Sequence, residues 1–570
     1  MPSGSTTFSN GRVLTCLYKE DFSRLACSDT RHPFETLSAG ACASRPESNA
    51  TLTVRALCYP PARRVRAHAP LDSVVDGFGT MWTSTTRAVL AAREESQPGR
   101  APVVSHLPFG QLRSRLRGPL ITSADADYET SREIWNRLYD RRPRAIVRCE
   151  SASDVIAAVR FALEYDLEIA VKGGGHHAAG YASTDGGILL NLSGMCTVTV
   201  SPAQQRAVTQ TGLTWAQFDQ VSQAFGQACT GPIVSMTGVA GFTLGGGIGW
   251  LQRKLGLGCD NLRSAEVVTA DGSLVTANDA EHPDLFWALR GSGWNFGVVT
   301  WMEFQIHPIG PMVVAGLIYF PLDQFSALVE RHRQLRDLFP DELTTWFFLR
   351  LAPPVPAIPK EWVGRPVVAL ALCHCGAVED GKKWVEEFTR LLAPLTSTAG
   401  TVEYLVWQRS LDARWGNGFY NDWRGQYFSE LHPAALEILT DYVSRLESPW
   451  TDIKIAHLEG AVSRIPETAT AYGNRGARFG LVIQARWERK EESAVQIAWA
   501  KELRDRLALY TTGGAYANFL AADEVHRVSA AHGPDNYHRL QELKSKYDPE
   551  NVFRANPNVP PAQQKPEDAS

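Results

Sequence analysis

Residues 171–180 read VKGGGHHAAG, three glycines and two histidines set directly after the strand-like run LEIAV at 167–171. A glycine run that follows a strand lets backbone amides approach a ligand closely, because no Cβ stands in the way. Something flat or phosphorylated lies against such a turn, and the two histidines stand where that ligand would be. Upstream, Ser151 with Asp154 three residues later has the spacing of a capping box, and Ile156, Val159 and Leu163 follow at helical spacing. Downstream, GILLNL at 187–192 is again strand-like. Alternation of a helix with short apolar strands predicts a lobe that mixes helix and sheet.

Two more glycine blocks lie within about one domain length of chain, GVAGFTLGGGIGWL at 238–251 and ALRGSGWNFGVVT at 288–300. One phosphate needs one such loop, so three suggest a single extended ligand cradled by several. None of the three gives GxGxxG in register with an acidic residue about 20 positions on, and no GxxxxGK[ST] occurs. A nicotinamide-binding fold of that kind and a P-loop are both disfavoured. From about residue 312 the segments lengthen and become aromatic: LIYF, TTWFFLRL, EYLVWQ and WGNGFYNDWRGQYF. Period-two runs such as EYLVW predict a half-buried sheet with one face free to line a cavity, and helices over 323–337 and 488–509 would cover the other face. A glycine-introduced strand, GAYANFL, and a helix over 536–546 close the chain.

The chain has 570 residues, too many for one compact core at ~150 residues per domain. Its 44% hydrophobic and 21% charged residues exclude wholesale disorder and a collagen-like chain. A formal net charge of -4 gives no basic field for nucleic acid or an anionic membrane. The local clusters Arg63/Arg64/Arg66 and Arg113/Arg115/Arg117 lack interleaved aromatics and read as solvated surface. Neither a signal peptide nor an apolar run of ~18 residues is seen, which suggests a soluble, cytoplasmic protein without a membrane partner. The ten cysteines form no CxxC pair, so no metal site is expected, and Cys373 and Cys375 read as part of a buried strand.

Read together, Lys172-Gly173-Gly174-Gly175-His176, the block Thr237 to Trp250, Asp260-Asn261-Leu262, Trp287 to Val299, and the closing Tyr516-Ala517-Asn518-Phe519 and Tyr547 to Phe553 resemble the berberine bridge enzyme-like family of FAD-linked oxidases. The resemblance runs from about 127 to 560, with the motifs in the family's order. It implies an α+β chain: a two-subdomain vanillyl-alcohol-oxidase-type FAD-binding domain with a separate antiparallel-sheet substrate domain. On that basis the chain divides into an irregular extension at 1–118, an FAD-binding domain at 119–311, a substrate domain at 312–514, a segment returning to the FAD domain at 515–560, and a tail at 561–570.

The resemblance also assigns residues. Lys172, Gly173, Gly174, Gly175, Gly180, Thr237, Gly238, Gly241, Gly245, Gly246, Gly247, Gly249, Asp260, Asn295, Gly297, Val298 and Asn518 are expected at FAD, and His176 holds the place of the histidine bonded to the flavin 8α carbon. Many relatives have a second bond through a cysteine four residues before the first glycine of the second block. Here that place is Val234, so a single covalent bond is expected. The tyrosine that removes the substrate proton in several relatives is replaced by Phe519. Tyr516, His177 and Tyr420 are the candidate catalytic residues, with Tyr181, Asp422 and Trp423 as further possibilities. The implied reaction is oxidation of a small organic molecule, a secondary metabolite above all, by hydride transfer to flavin N5, with molecular oxygen reduced to hydrogen peroxide. The alternatives are a dehydrogenase with another acceptor, a sugar or alcohol oxidase, and a catalytically silent flavin-bearing binding protein.

Overall fold

The computed structural model describes residues 107–390 and 392–563, together with four short strands between residues 4 and 55. The rest of the segment expected to be irregular, with the Arg63/Arg64/Arg66 cluster, lies outside the described residues. The second basic cluster, Arg113, Arg115 and Arg117, is exposed.

The strands Ala145–Arg148 and Ile169–Lys172 flank Ile188–Asn191 in parallel, and Leu120–Ile121 adds an antiparallel edge. The helix Ala152–Glu164 makes the crossover and buries Val155, Ala158, Val159 and Ala162, a continuous stripe at i, i+3, i+4, i+7. Leu163, expected on that stripe, is 40% exposed. The helix begins after Ser151 as expected, but the capping box does not form. Asp154 is buried and accepts instead from the backbone N–H groups of Arg117 at 2.7 Å, Gly118 at 3.2 Å and Glu150 at 2.8 Å. A buried carboxylate that finds three backbone donors is worth more there than as an exposed cap.

A second sheet runs in the order Leu274–Asn278, Leu262–Val268, Val298–Gln305, Arg206–Gln210, Thr197–Ser201, all antiparallel, and the four N-terminal strands extend it. Its core includes Trp215, Phe218, Phe242 and Phe286, and also Ala515, Ala517, Leu540 and Leu543. The end of the chain, with the helix Pro534–Tyr547, thus packs into the glycine-loop lobe.

The third sheet is antiparallel and eight-stranded. It runs Thr396–Ser397, Met312–Pro321, Pro366–His374, Leu343–Leu351, Asp452–His457, Phe479–Trp487, Tyr420–Phe428, with Gly400–Glu403 also beside Met312–Pro321. Alternate side chains face opposite ways. One set packs under the helices Phe325–Leu335, Pro433–Ser444 and Ser493–Leu507, close to two of the helices expected from sequence. The other set, rich in tryptophan, faces the glycine-loop lobe.

Two expected strands are not strands. YLVWQR at 404–409 is helical, with Tyr404 and Trp407 buried and Val406 56% exposed. Its apolar residues sit as well on one helical face, and the strand of that segment is the preceding Gly400–Glu403. In GAYANFL, Ala517–Phe519 forms a single 3-10 turn instead of a strand. Cys373 and Cys375 are buried at the end of Pro366–His374, as expected. Among the described residues no cluster of potential metal ligands occurs, and no helix is long and apolar enough to cross a membrane.

Candidate functional site

The strand Ile169–Lys172 ends at the edge of its sheet and delivers Gly173, Gly174 and Gly175 to the junction of the lobes. A Cβ on Gly174 would lie 2.5 Å from the backbone N of Gly238, and a Cβ on Gly238 would lie 2.4 Å from that of Gly174. The first two glycine blocks therefore touch backbone to backbone, an approach open only to glycine. Between them and the tryptophan-rich face of the third sheet lies a cavity lined from both sides.

His176 lines this cavity and stacks on Trp135, with ring centroids 4.2 Å apart. Burial, with the Arg486 guanidinium adding to it, pulls the imidazole down to about 3, so it is neutral at neutral pH. Its Nε2 is shielded and has no partner. His177 also lines the cavity, and burial holds it at about 4, with Arg141 adding. Its Nδ1 accepts the Ala179 N–H at 3.0 Å, which places the proton of the neutral ring on Nε2. That nitrogen is likewise without a partner. His177 thus presents a donor, which argues against its use as a base.

All three glycine blocks contribute to the wall, through Gly173 to Gly175, Thr237, Gly238, Gly241, Gly297 and Val298. The remaining expected cofactor residues, Asn518 apart, stand behind it. Gly245, Gly246 and Gly247 pack tightly on Asn518, Tyr472 and Phe242, and Gly249 on the Gly231 carbonyl. Gly180, at φ +71°, leaves room for the Tyr139 ring, which a Cβ would meet at 2.4 Å. Lys172 turns away and donates to the carbonyls of Ser131 and Glu133. Asp260 pairs with Arg475 at 2.6 Å, tying the two lobes together. Asn295 bonds the closing segment, donating to the Pro557 carbonyl at 3.2 Å and accepting the Val559 N–H at 2.9 Å. For these residues sequence pattern marked the scaffold of the cradle and not its surface.

Asn518 and Tyr516 line the cavity. The Tyr516 hydroxyl oxygen accepts from the N–H of Gly247 at 3.0 Å, the N–H of Ile248 at 3.3 Å and Asn518 Nδ2 at 2.8 Å. Burial pushes this phenol up to about 12 against the pull of those donors. Phe519 lies beside it, edge to face at 4.7 Å. Tyr420 is on the opposite face of the third sheet, stacked on Trp487 at 6.2 Å among the helices, and does not reach the cavity. Asp422 shares that face and pairs with Arg424 at 2.8 Å, whereas Trp423, on the other, lines the cavity with Tyr181. Sequence reading missed Trp346, Lys454 and Gln484 of the sheet wall. The signal for Lys454 was a buried charge in an apolar strand, DIKIAH at 452–457.

A cavity whose one side offers glycine backbone and shielded imidazole nitrogen, and whose other side is aromatic, fits a cofactor with both a phosphate bridge and a flat ring system, as FAD has. Val234, which stands where a cysteine would make a second flavin bond, lines the cavity and offers no thiol.

Residues 143–278 match the family described as FAD binding domain, and residues 515–560 match that described as berberine and berberine like. An FAD-linked oxidoreductase of Dictyostelium discoideum is 29% identical over 434 residues, 75% of this chain and 91% of that one. Of solved structures, 6-hydroxy-D-nicotine oxidase from Arthrobacter nicotinovorans matches with TM-score 0.69 and 27% identity over 78% of this chain and 98% of that one. Glucooligosaccharide oxidase from Acremonium strictum, described with a 6-S-cysteinyl, 8α-N1-histidyl FAD, matches with TM-score 0.68 and 21% identity over 78% of this chain and 98% of that one. The fold class is that expected from sequence.

Proposed function

We propose that this chain is an oxidoreductase like the berberine bridge enzyme-like FAD-linked proteins it matches, and that it is an oxidase of a small organic molecule with a flat apolar surface, its flavin joined to His176 by a single covalent bond and its electrons passed to oxygen. The observation that carries this reading is the one cavity shared by three glycine loops and an aromatic sheet wall. When bound there, FAD would supply the two-electron redox chemistry that couples oxidation of the substrate to reduction of oxygen to hydrogen peroxide.

The chain's own residues supply the rest. The amides of Gly173 to Gly175 and Gly238 offer donors suited to phosphate charge without a basic side chain. His176 is uncharged, held by Trp135 and lines the cavity, which suits it to bond a flavin carbon. The histidyl attachment in glucooligosaccharide oxidase supports the same role here. Val234 supports a single bond. Trp346, Trp423 and Phe519 exclude water from the substrate side and offer ring faces to a flat molecule. Tyr516 is the candidate proton-transfer residue, because its hydroxyl sits in the cavity wall and is held there by three converging N–H donors, which partly offset the rise that burial imposes on the phenol. His177 holds a hydrogen bond to the bound cofactor or substrate as donor.

The test is anaerobic exposure of the purified protein to a panel of aromatic alcohols, amines and oligosaccharides, followed by air. A panel member should bleach the visible flavin absorbance, and air should restore it with release of hydrogen peroxide. Bleaching without recovery in air would make it a dehydrogenase, and no bleaching by any member would favour a silent binding protein.

A further inference from the structure

We propose that the substrate carries an acidic group, a carboxylate or an ionised phenol, and that this group docks on the sheet wall at Lys454 and Gln484. The inference rests on the oxidoreductase reading and names the substrate class that its site takes.

In the strand Asp452–His457, Asp452 and Lys454 are two residues apart and share the face turned to the glycine loops. Asp452 is fully buried, and three cations converge on it: Arg350 at 2.6 Å, Arg414 at 2.7 Å and Lys454 at 3.0 Å. A fourth, Arg486, lies over the Trp415 ring at 5.1 Å, the same ring that Lys454 Nζ approaches to 4.1 Å. Arg486 has no carboxylate partner among the described residues. It donates to Asn421 Oδ1 at 2.9 Å and to the Gly416 carbonyl at 2.6 Å. The cluster therefore holds one carboxylate against four cations, with Lys454, Asp452 and Arg486 wholly buried and Arg350 nearly so. Buried charge is costly unless paired, and guanidinium groups do not shed their protons. What this wall lacks is an anion.

Of the five groups, only Lys454 lines the cavity, so it is where an anion from the cavity meets the excess charge. Burial, offset by Asp452 and reinforced by Arg350, pulls Lys454 down to about 7. Its Nζ now donates to Gln484 Oε1 on the neighbouring strand Phe479–Trp487. An arriving acidic group takes that N–H in place of Gln484, whose amide, turned over, adds its own N–H. The ring faces of Trp346 and Trp423 on the same wall suit a flat body behind the acidic group. The groups facing Lys454 are Asp452 on its own strand, Arg350 on Leu343–Leu351, Arg414 on the Asp412–Trp415 turn and Arg486 on Phe479–Trp487, so among the described residues no second carboxylate competes.

The test is calorimetric titration of the purified flavoprotein with benzoate and with benzamide, its uncharged analogue of like shape. At pH 6.5 benzoate should bind at least ~10-fold tighter, the tenfold step of one charge-assisted contact. The preference should shrink above pH 8 as Lys454 loses its proton. Lys454→Met should abolish the preference. Gln484→Glu, which builds a carboxylate into the wall, should also abolish it, and at pH 6.5 should melt no lower than the wild type. Equal binding of the two probes, binding of neither, a preference that survives Lys454→Met, or a Gln484→Glu protein that melts below the wild type would each overturn the proposal. Flavin content read from visible absorbance separates the two readings: a colourless protein that prefers benzoate keeps the docking site and loses the oxidoreductase, and a yellow protein without the preference does the reverse.

Discussion

The cavity has two walls of opposite construction. The glycine-loop wall is made of backbone, its shape fixed by the contact of Gly174 with Gly238, and it bears almost no charge. The sheet wall is made of side chains, Trp346, Trp423, Lys454 and Gln484, backed by a buried ionic cluster. A backbone wall admits little variation, since a single Cβ closes it, and so it suits a cofactor that does not change. A wall of side chains varies at small cost to the fold, and so it carries the choice of substrate. Each wall should accordingly fail in its own way.

The largest effect is expected on the backbone wall. Gly174→Val puts a Cβ 2.5 Å from the Gly238 nitrogen, with further atoms beyond it, and should cost about 3 kcal/mol or more and leave a protein without flavin. Thermal melting and visible absorbance read both. On the sheet wall, Asp452→Asn leaves three cations without their counter-charge and should cost about 3–5 kcal/mol while flavin attachment at His176 persists. Its pH dependence has a definite sign. The cations hold Asp452 well below the usual carboxylate range, so its contribution is complete above the unfolded value of ~3.9 and fades as the pH falls below it. The melting difference between wild type and variant should therefore narrow in acid. Lys454 acts oppositely: with a folded value of about 7 and an ordinary value of 10.5, it opposes folding below pH 7 and is relieved as the pH rises toward 10.5.

Smaller effects separate the two tyrosines. Tyr516→Phe strands the N–H groups of Gly247 and Ile248 and should cost about 1–3 kcal/mol, with flavin reduction by substrate slowed by ~10²-fold or more. Tyr420→Phe, behind the sheet, should shift stability by less than about 0.5 kcal/mol and leave flavin reduction as it was. If stopped-flow bleaching slows equally in both variants, the division of the sheet into a cavity face and a helix face is wrong.

The same contrast explains what the sequence disclosed. The glycine wall was legible because close backbone approach demands one residue type, which leaves a spaced pattern. That pattern does not tell which glycines face the ligand and which face the protein, so Gly245 to Gly247 and Gly249 were assigned to FAD although they pack against Asn518, Tyr472, Phe242 and Gly231. Asp260, Asn295 and Lys172, also expected at FAD, bond protein groups and do not line the cavity, and a residue that braces a cradle fits a motif as well as one that lines it. On the sheet, the strands around TTWFFLRL and WGNGFYNDWRGQYF were legible, but their facing was not, because both faces are buried and apolar residues occupy both. Tyr420 therefore looked like a site residue, and Lys454 was overlooked. EYLVW misled because five residues are too few to tell a strand's alternation from one helical turn.

The most direct measurement of the central claim is flavin fluorescence in the protein band of an acid-precipitated sample run on a denaturing gel, wild type beside His176→Ala. The wild-type band should fluoresce, and the variant band should be dark while its native protein remains folded. A dark wild-type band, or a variant band as bright as the wild type, would contradict it.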